Sequence, residues 1–157
     1  MPNVITNPSN EFPGQPKISA TLPEGWKPLT NTGFALAAGA EVPEGQFMPN
    51  VLVSIKRYPA GTGLEQTKAE IQARCANLPE FALAKEQDYE AQGHPGYRIA
   101  FAYSDPRAGT LLQSGRAIVV NHGAVEDVIS ITSTCAAGQA DKFFPEIQAF
   151  EDSVTIN

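Results

Sequence analysis

The sequence predicts an α+β domain: an antiparallel β-sheet of about six or seven strands with helices packed on it. Three observations carry this. Most segments between turn signals alternate with period 2, while two segments switch to a 3–4-residue period. The alternating segments are joined by short turns rich in Gly, Pro, Asn and Asp, which makes consecutive strands antiparallel. The later strands carry large residues on one face and mainly Ala, Ser, Thr and Val on the other, so a helix can approach closely.

Each element has its own justification. Residues 1–16 hold four prolines and no basic residue, and read as an extended arm ahead of one domain, 17–157. Residues 17–22 alternate weakly and stop at Pro23-Glu24-Gly25, which predicts a first strand and a turn before Trp26. Residues 32–39 are small and apolar, a second strand, and 41–49 form a loop. In 50–58, Val51, Val53 and Ile55 share one face of a β-branched strand. From Leu64 the apolar positions are Leu64, Thr67 or Lys68, Ile71, Cys75 and Leu78, an amphipathic helix capped by Thr62 or Gly63 and stopped by Pro79. Residues 81–92 read as an exposed strand. Tyr97, Ile99, Phe101 and Tyr103 line one face of the next, after the turn containing His94. Residues 110–121 and 125–135 complete the sheet. A second helix spans about 138–152, with Phe143, Ile147, Phe150 and Val154 as its buried stripe. Pro145 predicts a short first piece and a main helix from about 144.

Composition excludes several functions. Acidic residues outnumber basic ones 17 to 11, a net charge of −6, which argues against a nucleic-acid binder. No apolar run approaches the length of a membrane span. Two cysteines and two histidines show no metal-site spacing, and no cofactor or metal is expected. No positive n-region and apolar stretch opens the chain. A cytoplasmic location is therefore expected if Met1 is the native start, and an envelope location if a leader has been removed.

Short motifs along the chain resemble a known family. They are Leu22-Pro23-Glu24-Gly25-Trp26-Lys27-Pro28, then Asn77-Leu78-Pro79-Glu80-Phe81, then Gly93-His94-Pro95-Gly96-Tyr97, the strand 113–121 and the closing Asp152-Ser153-Val154-Thr155-Ile156. In this order they resemble the actinobacterial LpqN/LpqT lipoprotein family, within the Mog1/PsbP-like fold, over about residues 17–157. The resemblance implies an α/β/α sandwich and a non-enzymatic binding or accessory role, with no catalytic set to carry over. Members of the wider fold include a Ran-binding factor, a photosystem extrinsic subunit and effector chaperones of secretion systems. The LpqN type carries a lipoprotein signal, which residues 1–16 do not show.

Candidate sites are few. His94 and His122 lie in turns with no carboxylate or thiolate at ligand spacing, and read as exposed turn residues. Cys75 and Cys135 either form one disulfide or remain separate buried thiols. No serine sits in Gly-x-Ser-x-Gly, so no hydrolase is expected. Gly61-Thr62-Gly63 opens a helix in the manner of an anion site or of a plain helix entry. Arg98 and Arg116 are expected to pair with Glu90 or Glu126 across the sheet. Trp26, Phe34, Phe47, Met48 and Tyr58 gather near the first strands and the long loop, Trp26 being a core candidate. Phe47, Met48 and Tyr58 are the candidate partner-binding residues. The function expected is recognition of a protein or peptide by a monomer or weak homo-oligomer. The alternatives are a chaperone or adaptor for an exported effector, and a small-molecule or lipid carrier.

Overall fold

The computed structural model describes residues 3–157; Met1 and Pro2, the start of the expected arm, lie outside the described residues. Residues 3–16 form no helix or strand. The elements then run β1 (Ile18–Ser19), β2 (Trp26–Pro28), β3 (Leu36–Ala40), β4 (Asn50–Pro59), α1 (Gly63–Cys75), β5 (Ala82–Ala91), β6 (His94–Asp105), β7 (Gly109–Asn121), β8 (Val125–Ala136), a 3-10 turn (Ala137–Gln139), α2 (Ala140–Ser153) and β9 (Thr155–Ile156).

Seven strands form one sheet in the order β2-β3-β4-β8-β7-β6-β5, every pair antiparallel. The long crossover from β4 to β5 carries α1, so β8 can slot beside β4, with Val53 opposite Ile131. Segment 17–22 contributes only β1, which pairs with β9 in a separate two-stranded ribbon. The turn ends at Gly25, φ 85°, as expected, and Trp26 then opens β2, a short strand that the residue pattern did not mark and that pairs with β3, Trp26 opposite Ala40.

Strand alternation gives the sheet two buried faces. Val51, Val53, Ile118, Ile129, Ile131 and Cys135 point to one side and pack under Phe143, Ile147 and Phe150 of α2. Burying each such side chain stabilises the fold by about 1.5–3 kcal/mol. The opposite side carries Tyr58, Ala117, Val119 and Val128, then Tyr97, Ile99 and Phe101, against Leu64, Ile71 and Cys75 of the α1 segment. The molecule is therefore an α/β/α sandwich, with one helix on each face of the sheet.

Two helix expectations change. α2 is continuous from Ala140 and carries Pro145 inside it. The N–H that proline lacks would have bonded the carbonyl of Asp141, an exposed first-turn residue that water can satisfy. Thr62 precedes α1 but makes no side-chain cap hydrogen bond. The cap comes from β8, as described below.

Candidate ligand-binding site

α1 covers only part of its face of the sheet and leaves a cavity of about 780 Å³ beside β4, β8 and β7. Ser54 and Ser130, opposite each other across β4 and β8, form its floor with Thr132, Gly115 and Gln113. These are the small, polar positions that alternate with the α2-facing core, so the strand period itself builds a hydroxyl-lined floor. Gly115 keeps it low: a Cβ there would stand 3.2 Å from Ile99 Cγ2. Ile71, Leu78, Ile99, Phe101, Leu52 and Phe34 give apolar walls. Lys56 and Glu70, bridged at 3.5 Å, lie at the lip with Arg74. Thr67 Oγ1 borders the cavity, is buried, and has no hydrogen-bond partner among the described residues. A volume of this size falls within the range of small-molecule pockets, about 300–1,000 Å³.

The sequence-derived candidates do not assemble into one site. Tyr58 is 5% exposed, packs with Ala117, Val119 and Val128, and borders the cavity, whose lining includes neither Phe47 nor Met48. Trp26 is buried, and its Nε1 donates to Glu146 Oε1 at 3.0 Å. Phe47 is half-buried in a shallow groove with Arg107 and Gln139, whose Nε2 donates to the Phe47 carbonyl at 2.7 Å. Met48 is partly exposed and leans its sulfur over Gly39. Phe34 is exposed at the cavity lip.

The structure does not pair the two cysteines. Cys75 and Cys135 are both free and buried, but Cys75 packs with the α1 core and Cys135 with the α2 core. The sheet stands between them. Burial raises both thiols above their ordinary value.

The expected cross-sheet ion pairs are replaced by three buried carboxylate sites. Glu126 accepts hydrogen bonds from the backbone N–H groups of Gly61 and of Gly63, the latter at 3.2 Å, so the chain's own carboxylate fills the anion site that Gly61-Thr62-Gly63 suggested. Asp127, 0% exposed, accepts both Arg57 Nε and Nη2 at 2.9 Å, and His122 Nε2 lies 2.8 Å from its Oδ2. His122 therefore has a carboxylate partner that sequence spacing did not indicate. Burial opposes ionisation of Asp127, yet the Arg57 and His122 hydrogen bonds win and hold its carboxyl below the usual range. Glu151 on α2 accepts from Ser114 Oγ at 2.9 Å and Ser133 Oγ at 3.0 Å. Arg116 reaches Glu151 at 3.5 Å and Asp152 at 2.8 Å, rather than Glu90 or Glu126. Arg98 stacks over Tyr89. Burial pushes the Glu151 carboxyl up, with Arg116 and the two hydroxyls offsetting part of the rise. Sequence spacing did not mark this network, because its acidic member lies on α2, far along the chain from Ser114 and Arg116.

The whole-chain match is to the family described as Probable lipoprotein LpqN, over residues 5–157. The chain belongs to the LpqN family. LpqN of Mycobacterium tuberculosis, described as involved in cell envelope biogenesis, superposes with a TM-score of 0.77 at 14% identity, over 92% of this chain and 86% of that one. Cyanobacterial PsbP of Synechocystis superposes with a TM-score of 0.54 at 12% identity, covering 92% of this chain and 95% of that one. The Saccharomyces cerevisiae Ran-binding protein Mog1p also gives 0.54, at 13%, covering 88% and 89%. At these identities the likenesses show the fold, and that fold is the one the motifs implied. A search of curated proteins by sequence finds no match. Among the described residues, no helix is long and apolar enough to cross a membrane.

Proposed function

We propose that this LpqN-family chain is a non-enzymatic accessory protein of the cell envelope that holds a small amphiphilic molecule in the cavity between α1 and the sheet. The observation that carries the reading is the cavity itself. It joins a hydroxyl floor of Ser54, Ser130 and Thr132 to walls of Ile71, Leu78, Ile99 and Phe101. Hydroxyls and an amide bind and orient a polar group, whereas apolar walls take a hydrocarbon. The buried, unpartnered Thr67 hydroxyl supports a ligand further, since such groups ordinarily find a partner. Membership of a lipoprotein family supports the envelope over the cytoplasm. The carrier reading thereby gains over recognition of a peptide by Phe47 and Met48, because Phe47 is half-buried and tied by Gln139.

The test is a thermal-shift and calorimetric titration with octyl glucoside and decanoate, each below its micelle-forming concentration. Ligand at about 100 times Kd stabilises by about 2.7 kcal/mol, a readily measured rise in Tm. Ser130→Phe fills the floor and is expected to abolish the rise while leaving the unliganded fold intact. Equal shifts in wild type and Ser130→Phe, or no shift with either compound, would sink the reading.

A further inference from the structure

We propose that the free edge of β5 is a docking strand for an extended segment of a partner protein that carries Lys or Arg at alternate positions. This surface is separate from the cavity and stands without it.

The sheet has two edges, and they differ. β2 is three residues long and ends in Pro28, a short edge of the kind that resists strand addition. β5 is ten residues long, nearly all exposed, and no described strand pairs with its outer side. The β5–β6 turn fixes which residues point outward. Gln92 and Gly93 both have positive φ, 53° and 81°, and link Ala91 directly to His94. A two-residue hairpin of this kind makes Ala91 and His94 a hydrogen-bonded pair, and the pattern then alternates. Tyr89 with Gly96 and Gln87 with Arg98 are therefore bonded pairs as well. Pro95, which has no N–H, sits opposite Glu90 at a non-bonded position, consistent with that phase. The backbone groups of Glu86, Asp88 and Glu90 accordingly face the open edge.

The same three residues supply the sign of the partner. Their side chains share the α1 face: Tyr97 Oη donates to Glu86, and Lys68 reaches Asp88 at 2.6 Å. Glu90 has no ion partner among the described residues. Three carboxylates face one ammonium. Two copies of β5 aligned antiparallel over most of their length would set carboxylate against carboxylate, which is unfavourable. A strand with Lys or Arg at every second position instead meets each carboxylate directly across the new pair, while main-chain hydrogen bonds supply affinity. The irregularity between Leu83 and Lys85 ends the usable edge, leaving residues 85–91.

The experiment is fluorescence anisotropy with labelled nine-residue peptides, one alternating Lys with Val and one alternating Glu with Val, on the full chain. The Lys peptide is expected to bind and the Glu peptide to bind at least about tenfold more weakly. Glu90→Pro removes an outward N–H and no β5–β6 bond, so it should fold and lose on the order of tenfold in affinity. Glu90→Lys, which leaves the backbone free, should weaken the Lys peptide severalfold. Failure of the Lys peptide to bind would mean that the charges and irregularity simply blunt the edge. Unchanged affinity in Glu90→Pro would mean diffuse charge attraction only. Concentration-dependent dimerisation abolished by Glu90→Pro would assign the edge to a second copy. Each of these three overturns the proposal.

Discussion

Glu126 on β8 closes the N-terminus of α1 through the backbone N–H of Gly63, 3.2 Å from its Oε2. The N-cap Thr62 hydroxyl donates away from the helix, to the Pro59 carbonyl at 2.7 Å, so the helix takes its cap from a residue 63 positions from Gly63. The contact ties the helix entry to the central strand and sets how closely α1 approaches the sheet above the cavity. Gly63 is required there, because a Cβ would stand 2.8 Å from Val128 Cγ2 and 2.9 Å from Glu126 Oε2.

Glu126→Ala is therefore expected to destabilise the fold by about 1–2 kcal/mol, the scale of a lost cap and a lost charge–dipole contact. Gly63→Ala should cost at least as much through the clash. Urea unfolding followed by circular dichroism measures both. An unchanged midpoint for Glu126→Ala would show that Gly61 and Gly63 do not depend on this carboxylate.

The two thiols should behave independently. Alkylation without reductant is expected to modify neither Cys75 nor Cys135 in the folded chain at neutral pH, and both once it is unfolded, as read by mass spectrometry. Burial explains the slow reaction, and it also raises both thiols and so depletes the thiolate. Reductant should leave Tm unchanged. A mass two protons short of the reduced chain would contradict the opposite-face placement.

Most strands and both helices were legible because one face of each carries a regular apolar pattern: Tyr97, Ile99 and Phe101 at period 2, or Phe143, Ile147 and Phe150 at helical spacing. The family motifs then implied helices on both faces of the sheet, a choice that periodicity left open, but not the strand order. What stayed hidden depends on contacts distant in sequence. Asp127 lies five residues from His122, but only the β7–β8 turn and the arrival of Arg57 on β4 make the three meet. The cavity was illegible for a different reason. Its floor consists of Ser54, Ser130, Thr132 and Gly115, which look like ordinary solvent-facing strand positions until α1 is placed over them. The choice between a Cys75–Cys135 bridge and separate thiols stayed open in the sequence because shared membership of buried stripes does not say which face each stripe meets.

Glu151 is expected to lower stability as pH rises. Its folded carboxyl sits above the ordinary 4.5, because burial disfavours the charged form more than Arg116 and the serines restore it. The folded state therefore holds its proton where the unfolded chain has lost it. The stabilisation is full below about 4.5 and fades as pH climbs through the raised value. Glu151→Gln keeps an acceptor for the Ser114 or Ser133 hydroxyl and has no such titration. The Tm of wild type relative to Glu151→Gln should fall between pH 4 and pH 8, and parallel curves would count against it.

Asp127 runs the other way. Its folded carboxyl sits below the ordinary 3.8, held down by hydrogen bonds from Arg57 and His122 against the cost of burial. Here the unfolded chain binds the proton first, so the stabilisation is present above about 3.8 and is lost as pH falls through the depressed value. Asp127→Asn is expected to cost about 2 kcal/mol at neutral pH, the scale of hydrogen bonds to a charged group. It also leaves the Arg57 guanidinium without its carboxylate. Below pH 3 the wild type should lose that advantage, and the two unfolding midpoints should converge. If the gap between them stays constant from pH 7 to pH 2.5, the contribution of Asp127 is packing alone and the ion cluster adds nothing to the fold.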